Sequence, residues 1–201
     1  MTHHFLSNMT GIILCGGLSS RMGSDKGLLR TDVANWATDA ARKLQDLGIP
    51  VKASINTLQE NSYAHSLPGV ELITDNTVLP VKGPLLGLLS AHIANPTEDL
   101  FILACDMPLM ETFLLKELYT LYQKQDAEVF LYTNEGEAEP LCAIYTAAAL
   151  HQIMTMLREG QLKKFSMKFT LDHLRLATLP LKEEQKKYFR NFNAHADLNG
   201  L

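Results

Sequence analysis

Cysteine is scarce in this chain, and the three present avoid the patterns that bind metal or staple small domains. Cys15, Cys105 and Cys142 each stand in an apolar run with no C-x-x-C pairing, which argues against a structural zinc site and a disulfide framework. That usage fits a reducing, cytoplasmic interior. Positive charge is not in excess either: 18 Lys and Arg against 22 Asp and Glu leave a formal net charge of −4. Such a balance gives no general field for nucleic acid or an anionic membrane surface, so any polyanion site must be a local patch. No apolar stretch is long and continuous enough to cross a bilayer. The start, MTHHFLSNMT, lacks the basic flank and apolar core of a signal peptide. Residues 1–9 read as a tail in which His3 and His4 are inert. No repeat and no linker divides the 201 residues, a length suited to one domain with a sizeable core.

What is present is alternation. The continuous apolar run Gly11–Cys15, the short segments Val51–Ile55 and Val70–Thr74, the most apolar candidate Leu100–Ala104, and Glu128–Tyr132 and Pro140–Tyr145 read as strands, with "TNEGE" as the turn before the last. Helical periodicity covers Val33–Leu47, with Gly48 to end it and Pro50 beyond, then Pro84–Asn95, Leu114–Gln125 and Ala147–Arg158. "KEEQKK" (Lys182–Lys187) reads as a surface helix, and Trp36 and the methionines as core. Strands alternating with helices predict an α/β fold, a mostly parallel sheet covered on both faces. Ligands of such sheets collect beyond the carboxyl ends of the strands. That rule singles out the segments directly after Cys15, Ile55, Thr74 and Ala104.

The loop after the first strand runs from Gly16 to Lys26, "GGLSSRMGSDK". It is not a Walker A loop, whose lysine directly succeeds the last glycine, and it lacks G-x-G-x-x-G. Its paired glycines nevertheless let backbone N–H groups approach an anion closely. Arg21 can fork onto phosphate oxygens and Lys26 supplies a mobile point charge. The second feature is "LFILACDMPLM", which puts Asp106 at the end of the most apolar strand. A carboxylate there suits a hard cation whose shell is completed by substrate phosphate; the plainer reading is an Asp that opens a turn. Loop and carboxylate together suggest a metal-assisted reaction on a nucleotide.

These residues resemble a known family. "LCGGLSSRMGSDKGLL" is similar to the signature of the MobA-like nucleotidyltransferases, L-[AG]-G-G-x-S-x-R-M-G-x-D-K, and within it to the guanylyl-transferring branch that serves the molybdenum cofactor. The resemblance continues through "GPLLGLLSA", "ACDMPLM", "EPLCAIY" and "NFNAHADL", in the family's order and over most of the chain. It implies a Rossmann-like three-layer sandwich of nucleotidyltransferase type, with GTP, Mg²⁺ (or Mn²⁺) and molybdopterin as ligands. Leu14, Cys15, Gly16 and Gly17 would meet the nucleotide, as would Gly83, Pro84 and Leu85; Lys26 would meet its phosphates. Asn56 and Asp75 would contact base or ribose. Asp106 would ligate the metal, with Arg21 and Lys26 as its catalytic companions. Asn191 and Asn193 would lie towards the pterin, and cofactor-inserting chaperones are implied as partners. The chain departs from the family in "RTDVA" (Arg30–Ala34), where a Gly-x-Pro-Leu turn is usual, and at His195, where proline is usual.

The implied reaction is attack by a phosphate monoester on the α-phosphate of GTP. Such a nucleophile needs no general base, which agrees with the lack of any Ser/His/Asp or paired-carboxylate constellation. Positioning and charge stabilisation are then the main devices. Arg158, Lys163, Lys164 and Lys168 form a basic cluster that suits an anionic second substrate or simply a solvated face. Transfer of CMP, transfer to a sugar phosphate, and a non-catalytic nucleotide-binding role beside chaperones stay open as alternatives.

Overall fold

The computed structural model describes residues 8–16, 25–30 and 34–192. Gly17, Arg21, Asn193 and His195 lie outside them, as do His3 and His4. The strands are β1 (Met9–Leu14), β2 (Val51–Ile55), β3 (Glu71–Thr74), β4 (Asp99–Ala104), β5 (Val129–Asn134), β6 (Glu137–Tyr145) and β7 (Leu176–Pro180). The helices are α1 (Trp36–Gln45), α2 (Glu60–Ser66), α3 (Pro84–Ala94), α4 (Thr112–Lys124), α5 (Ala147–Arg158) and α6 (Met167–Leu171). The strands form one sheet in the order β3-β2-β1-β4-β6-β5-β7. Among the strands of the described residues, only β6 runs antiparallel to its neighbours, because the short turn after β5 folds the chain straight back.

Period-two alternation inside the apolar strands feeds two cores. Ile13, Cys15, Phe101, Leu103, Phe130 and Ile144 face α1, α2 and α4. Ile12, Leu14, Leu100, Ile102, Leu131 and Ala143 face α3, α5 and α6. The result is three layers, and central strands β1 and β4 are buried along their whole length. Burying each large aliphatic side chain there is worth about 1.5–3 kcal/mol.

The helix read as starting at Val33 starts instead at Trp36, because the Asn35 side chain accepts from Thr38 N–H at 2.7 Å and caps it. Trp36 is core, packed edge-on against Phe192. β1 begins at Met9, inside the span read as a tail, and Asn8 already accepts from Asp99 N–H. Residues 183–189 form a 3-10 helix that buries Gln185 and Phe189, so "KEEQKK" is only partly surface. Two short helices, α2 and α6, and the edge strand β7 have no counterpart in the sequence reading.

The chain steps outward from β1 to β2 and β3, then returns to place β4 on the other side of β1. This reversal opens a crevice beyond the ends of β1 and β4, the point where open α/β sheets bind ligands.

Candidate active site

Leu14, Cys15 and Gly16 leave β1 at that crevice, and Ala104, Cys105 and Asp106 leave β4 beside them. Between them lies a cavity of about 120 Å³, also lined by Lys26, Ser54, Asp75, Gly83, Pro84, Gly87 and Leu141. Pro84 sits in the first turn of α3, so the positive end of that helix borders the cavity. Cys15 and Cys105 are buried free thiols whose side chains meet. That contact, together with burial, pushes the Cys105 thiol up.

At one end, Lys26 Nζ donates to Asp106 Oδ2 at 3.3 Å, and both side chains are about four-fifths buried. Asp106 Oδ1 is buried and has no hydrogen-bond partner. An ionised oxygen left so is a costly acceptor unless a ligand completes it. Among the described residues no group of three or more His, Cys, Asp or Glu gathers to hold a metal. The Asp106 carboxylate fits a magnesium-type ion that takes its other ligands from water and phosphate.

At the other end, Ser54 Oγ donates to Asp75 Oδ1 at 3.4 Å. Burial pushes the Asp75 carboxyl up to about 6, against the lowering effect of the Ser54 hydroxyl. Two glycines make room for this carboxylate. A Cβ on Gly16 would stand 2.8 Å from Asp75 Oδ2, and one on Gly87 would stand 2.7 Å from Ser54 Oγ.

Of the residues expected to meet ligands, Leu14, Cys15, Gly16, Lys26, Asp75, Gly83, Pro84 and Asp106 thus line one cavity. Three others do not. Asn56 turns its side chain to the backbone, donating to Gly16 O at 3.4 Å and accepting from Leu58 N–H at 2.9 Å. Leu85 is buried in the core on the α3 side and borders a second groove beyond Pro84 rather than this cavity. Asn191 is exposed, although its neighbour Phe192 donates to the Asp106 carbonyl at 2.9 Å. Sequence reading missed Ser54 and Gly87; the glycine was visible in "GPLLG", but its closeness to β2 was not.

A strand-end cavity with a lysine facing a carboxylate across a topological switch point is the layout of a nucleotide-handling α/β enzyme. A solved nucleotidyl transferase from Methanothermobacter thermautotrophicus superposes with a TM-score of 0.73 at 16% identity, over 96% of this chain and 94% of its own. The structure of molybdopterin-guanine dinucleotide biosynthesis protein A from Archaeoglobus fulgidus superposes with a TM-score of 0.76 at 19% identity, over 95% of both chains. The fold is of nucleotidyltransferase type. Residues 11–174 match the MobA-like NTP transferase domain. The probable molybdenum cofactor guanylyltransferase of Flavobacterium johnsoniae is 30% identical over 196 residues, 98% of this chain and 97% of that protein. The chain belongs to the MobA-like NTP transferase family.

Proposed function

We propose that the protein transfers GMP from GTP to the terminal phosphate of molybdopterin and releases pyrophosphate. Relatives named as guanylyltransferases of the molybdenum cofactor support the reaction class. One observation carries the assignment of the site: Asp106 offers a buried, unpartnered oxygen beside the Lys26 ammonium, in a cavity whose other end holds Asp75.

Asp75 suits guanine. Ionised, its two oxygens can accept from the N1–H and the 2-amino group together, whereas cytosine presents one amino donor next to an acceptor. Gly16 and Gly87 leave the carboxylate uncovered towards the cavity.

In the reaction, an oxygen of the acceptor phosphate attacks the α-phosphorus of GTP. The bond to the β-phosphate oxygen breaks, and its electron pair leaves with pyrophosphate. The acceptor is already anionic, so no side chain has to remove a proton. The barrier is the meeting of two anions, which Lys26 lowers by holding positive charge at the phosphates. Arg21 is assigned with it to the departing pyrophosphate. Asp106 would hold Mg²⁺ through Oδ1, and the bound ion would neutralise charge spread over the phosphate oxygens.

The acceptor is assigned to the second groove, about 360 Å³, which shares Pro84 and Leu141 with the nucleotide cavity. Half-exposed Phe165 offers a ring face to a flat heterocycle and Lys82 a charge to its phosphate. Lys168, at its edge, is tied to Glu137 at 2.7 Å. The three unpaired thiols suit a cytoplasmic enzyme, and hand-over of product to cofactor-inserting chaperones completes the proposal.

Pyrophosphate release with molybdopterin and Mg²⁺ tests the reading. GTP is expected to be used on the order of tenfold or more better than CTP. Equal use of CTP overturns the guanine assignment, and no release with either nucleotide overturns transfer itself.

A further inference from the structure

We infer that Gln59 is a positioning residue that braces both ends of the nucleotide loop and thereby sets the place of Lys26. Its kinetic consequence rests on the reaction proposed above; its geometry does not.

Gln59 is buried just before α2. Its Nε2 donates to the Cys15 carbonyl at 3.0 Å and also to the Asp25 carboxylate. Its Oε1 accepts from Asn56 N–H at 2.8 Å. Cys15 is where the chain enters the loop, and Asp25 is the residue before Lys26. One amide thus joins the entry of the loop to its exit.

Asp25 carries the restraint onward. Its Oδ1 accepts from the Tyr63 hydroxyl at 2.8 Å and from Gly27 N–H at 3.1 Å, which caps the 3-10 turn Lys26–Leu28. Tyr63 is wholly buried, and burial, with Cys15, Cys105 and Asp25 around it, pushes its hydroxyl up, so that it stays a donor. The turn fits against that hydroxyl only because residue 27 is glycine: a Cβ there would stand 2.1 Å from Tyr63 Oη. Lys26 opens the turn, and from there its Nζ reaches Asp106. A lysine is a point charge on a long, flexible stem, so where its backbone is held decides which phosphate it meets.

Position 59 has to be an amide. Both partners of Nε2, the Cys15 carbonyl and the Asp25 carboxylate, are acceptors, so only a group with two N–H donors serves both. Glutamate has the same shape and would turn an oxygen on each.

The experiment compares Gln59→Glu and Gln59→Leu with the wild type. Without nucleotide, hydrogen exchange at the Gly27, Leu28 and Leu29 amides is expected to rise about tenfold or more, as local opening becomes easier. GTP kcat/KM is expected to fall about 10- to 100-fold, the effect of a displaced positioning group. In a Lys26→Ala background the same substitutions should cost little more, since residues acting as one unit are not additive. Unchanged exchange, or a kinetic loss that persists in full without Lys26, overturns the inference. If neither variant folds, Tyr63→Phe removes one Asp25 donor and should move exchange and kcat/KM the same way by less; no movement overturns it too. A wild type that transfers nothing refutes the proposed reaction, while the exchange measurement still decides the brace.

Discussion

Asp106→Asn removes one negative charge and almost no volume, which makes its two consequences separable. In the native site Oδ2 accepts from Lys26 Nζ at 3.3 Å and Oδ1 is buried without a partner. The pair is about four-fifths buried on each side, but asparagine keeps the volume and an oxygen that still accepts from Lys26, so the exchange weakens a charge-assisted bond to an ordinary one at a cost of about 1 kcal/mol. In a chain of this length that moves Tm by about 2–4 °C. The Asp106 carbonyl that receives Phe192 N–H at 2.9 Å is left in place, so Phe192 keeps its anchor. Turnover should suffer far more. Removing a group that stabilises transition-state charge lowers kcat by about 10²–10³, or about 2.7–4 kcal/mol. The assay is pyrophosphate release over a Mg²⁺ series, run beside a thermal melt. Turnover within about fivefold of wild type would refute the reasoning. So would a Tm loss of about 10 °C or more, because the effect would then be structural.

The far end of the site and the second groove give two more predictions. The Asp75 carboxyl, raised to about 6 by burial, accepts from two base donors at once only when ionised, so GTP affinity should weaken as pH falls through about 6. The fold favours its neutral form, so its stabilising contribution is full below the unfolded value and lost as pH rises towards 6; a bound donor-rich base offsets that loss. Asp75→Asn should bind GTP weakly with no step near pH 6 in calorimetric titrations, and a flat wild-type profile would remove Asp75 from the base site. Phe165→Ala should raise the KM for molybdopterin about three- to tenfold with the KM for GTP unchanged; an unchanged acceptor KM would empty the second groove of that role.

The layered sheet was legible because its central strands β1 and β4 are apolar runs, a pattern that reports burial on both faces. The elements left unread, α2, α6 and β7, are short, and "ENSYAHS" carries too few apolar residues to show a helical stripe. In the site, Lys26 and Asp106 announced themselves through local chemistry, a charge among glycines and a carboxylate at a strand end. Asn56 had an equally good position by the same rule, yet its amide is taken up by Gly16 and Leu58 backbone. Gln59 and Tyr63 gave no signal, since a lone glutamine before a short helix or a lone tyrosine within it acquires a role only through what it touches.

The amino-acid sequence by itself therefore determined strands β1 to β6, the phosphate-suited loop and the two charged groups, because each arises from side chains near one another in the chain. Tertiary structure alone decided which of these share a cavity, why Gly16 and Gly87 must lack side chains, and what holds Lys26 in place. Those are contacts between β1, β2, β4, α2 and α3, segments that only the winding of the sheet brings to the same edge.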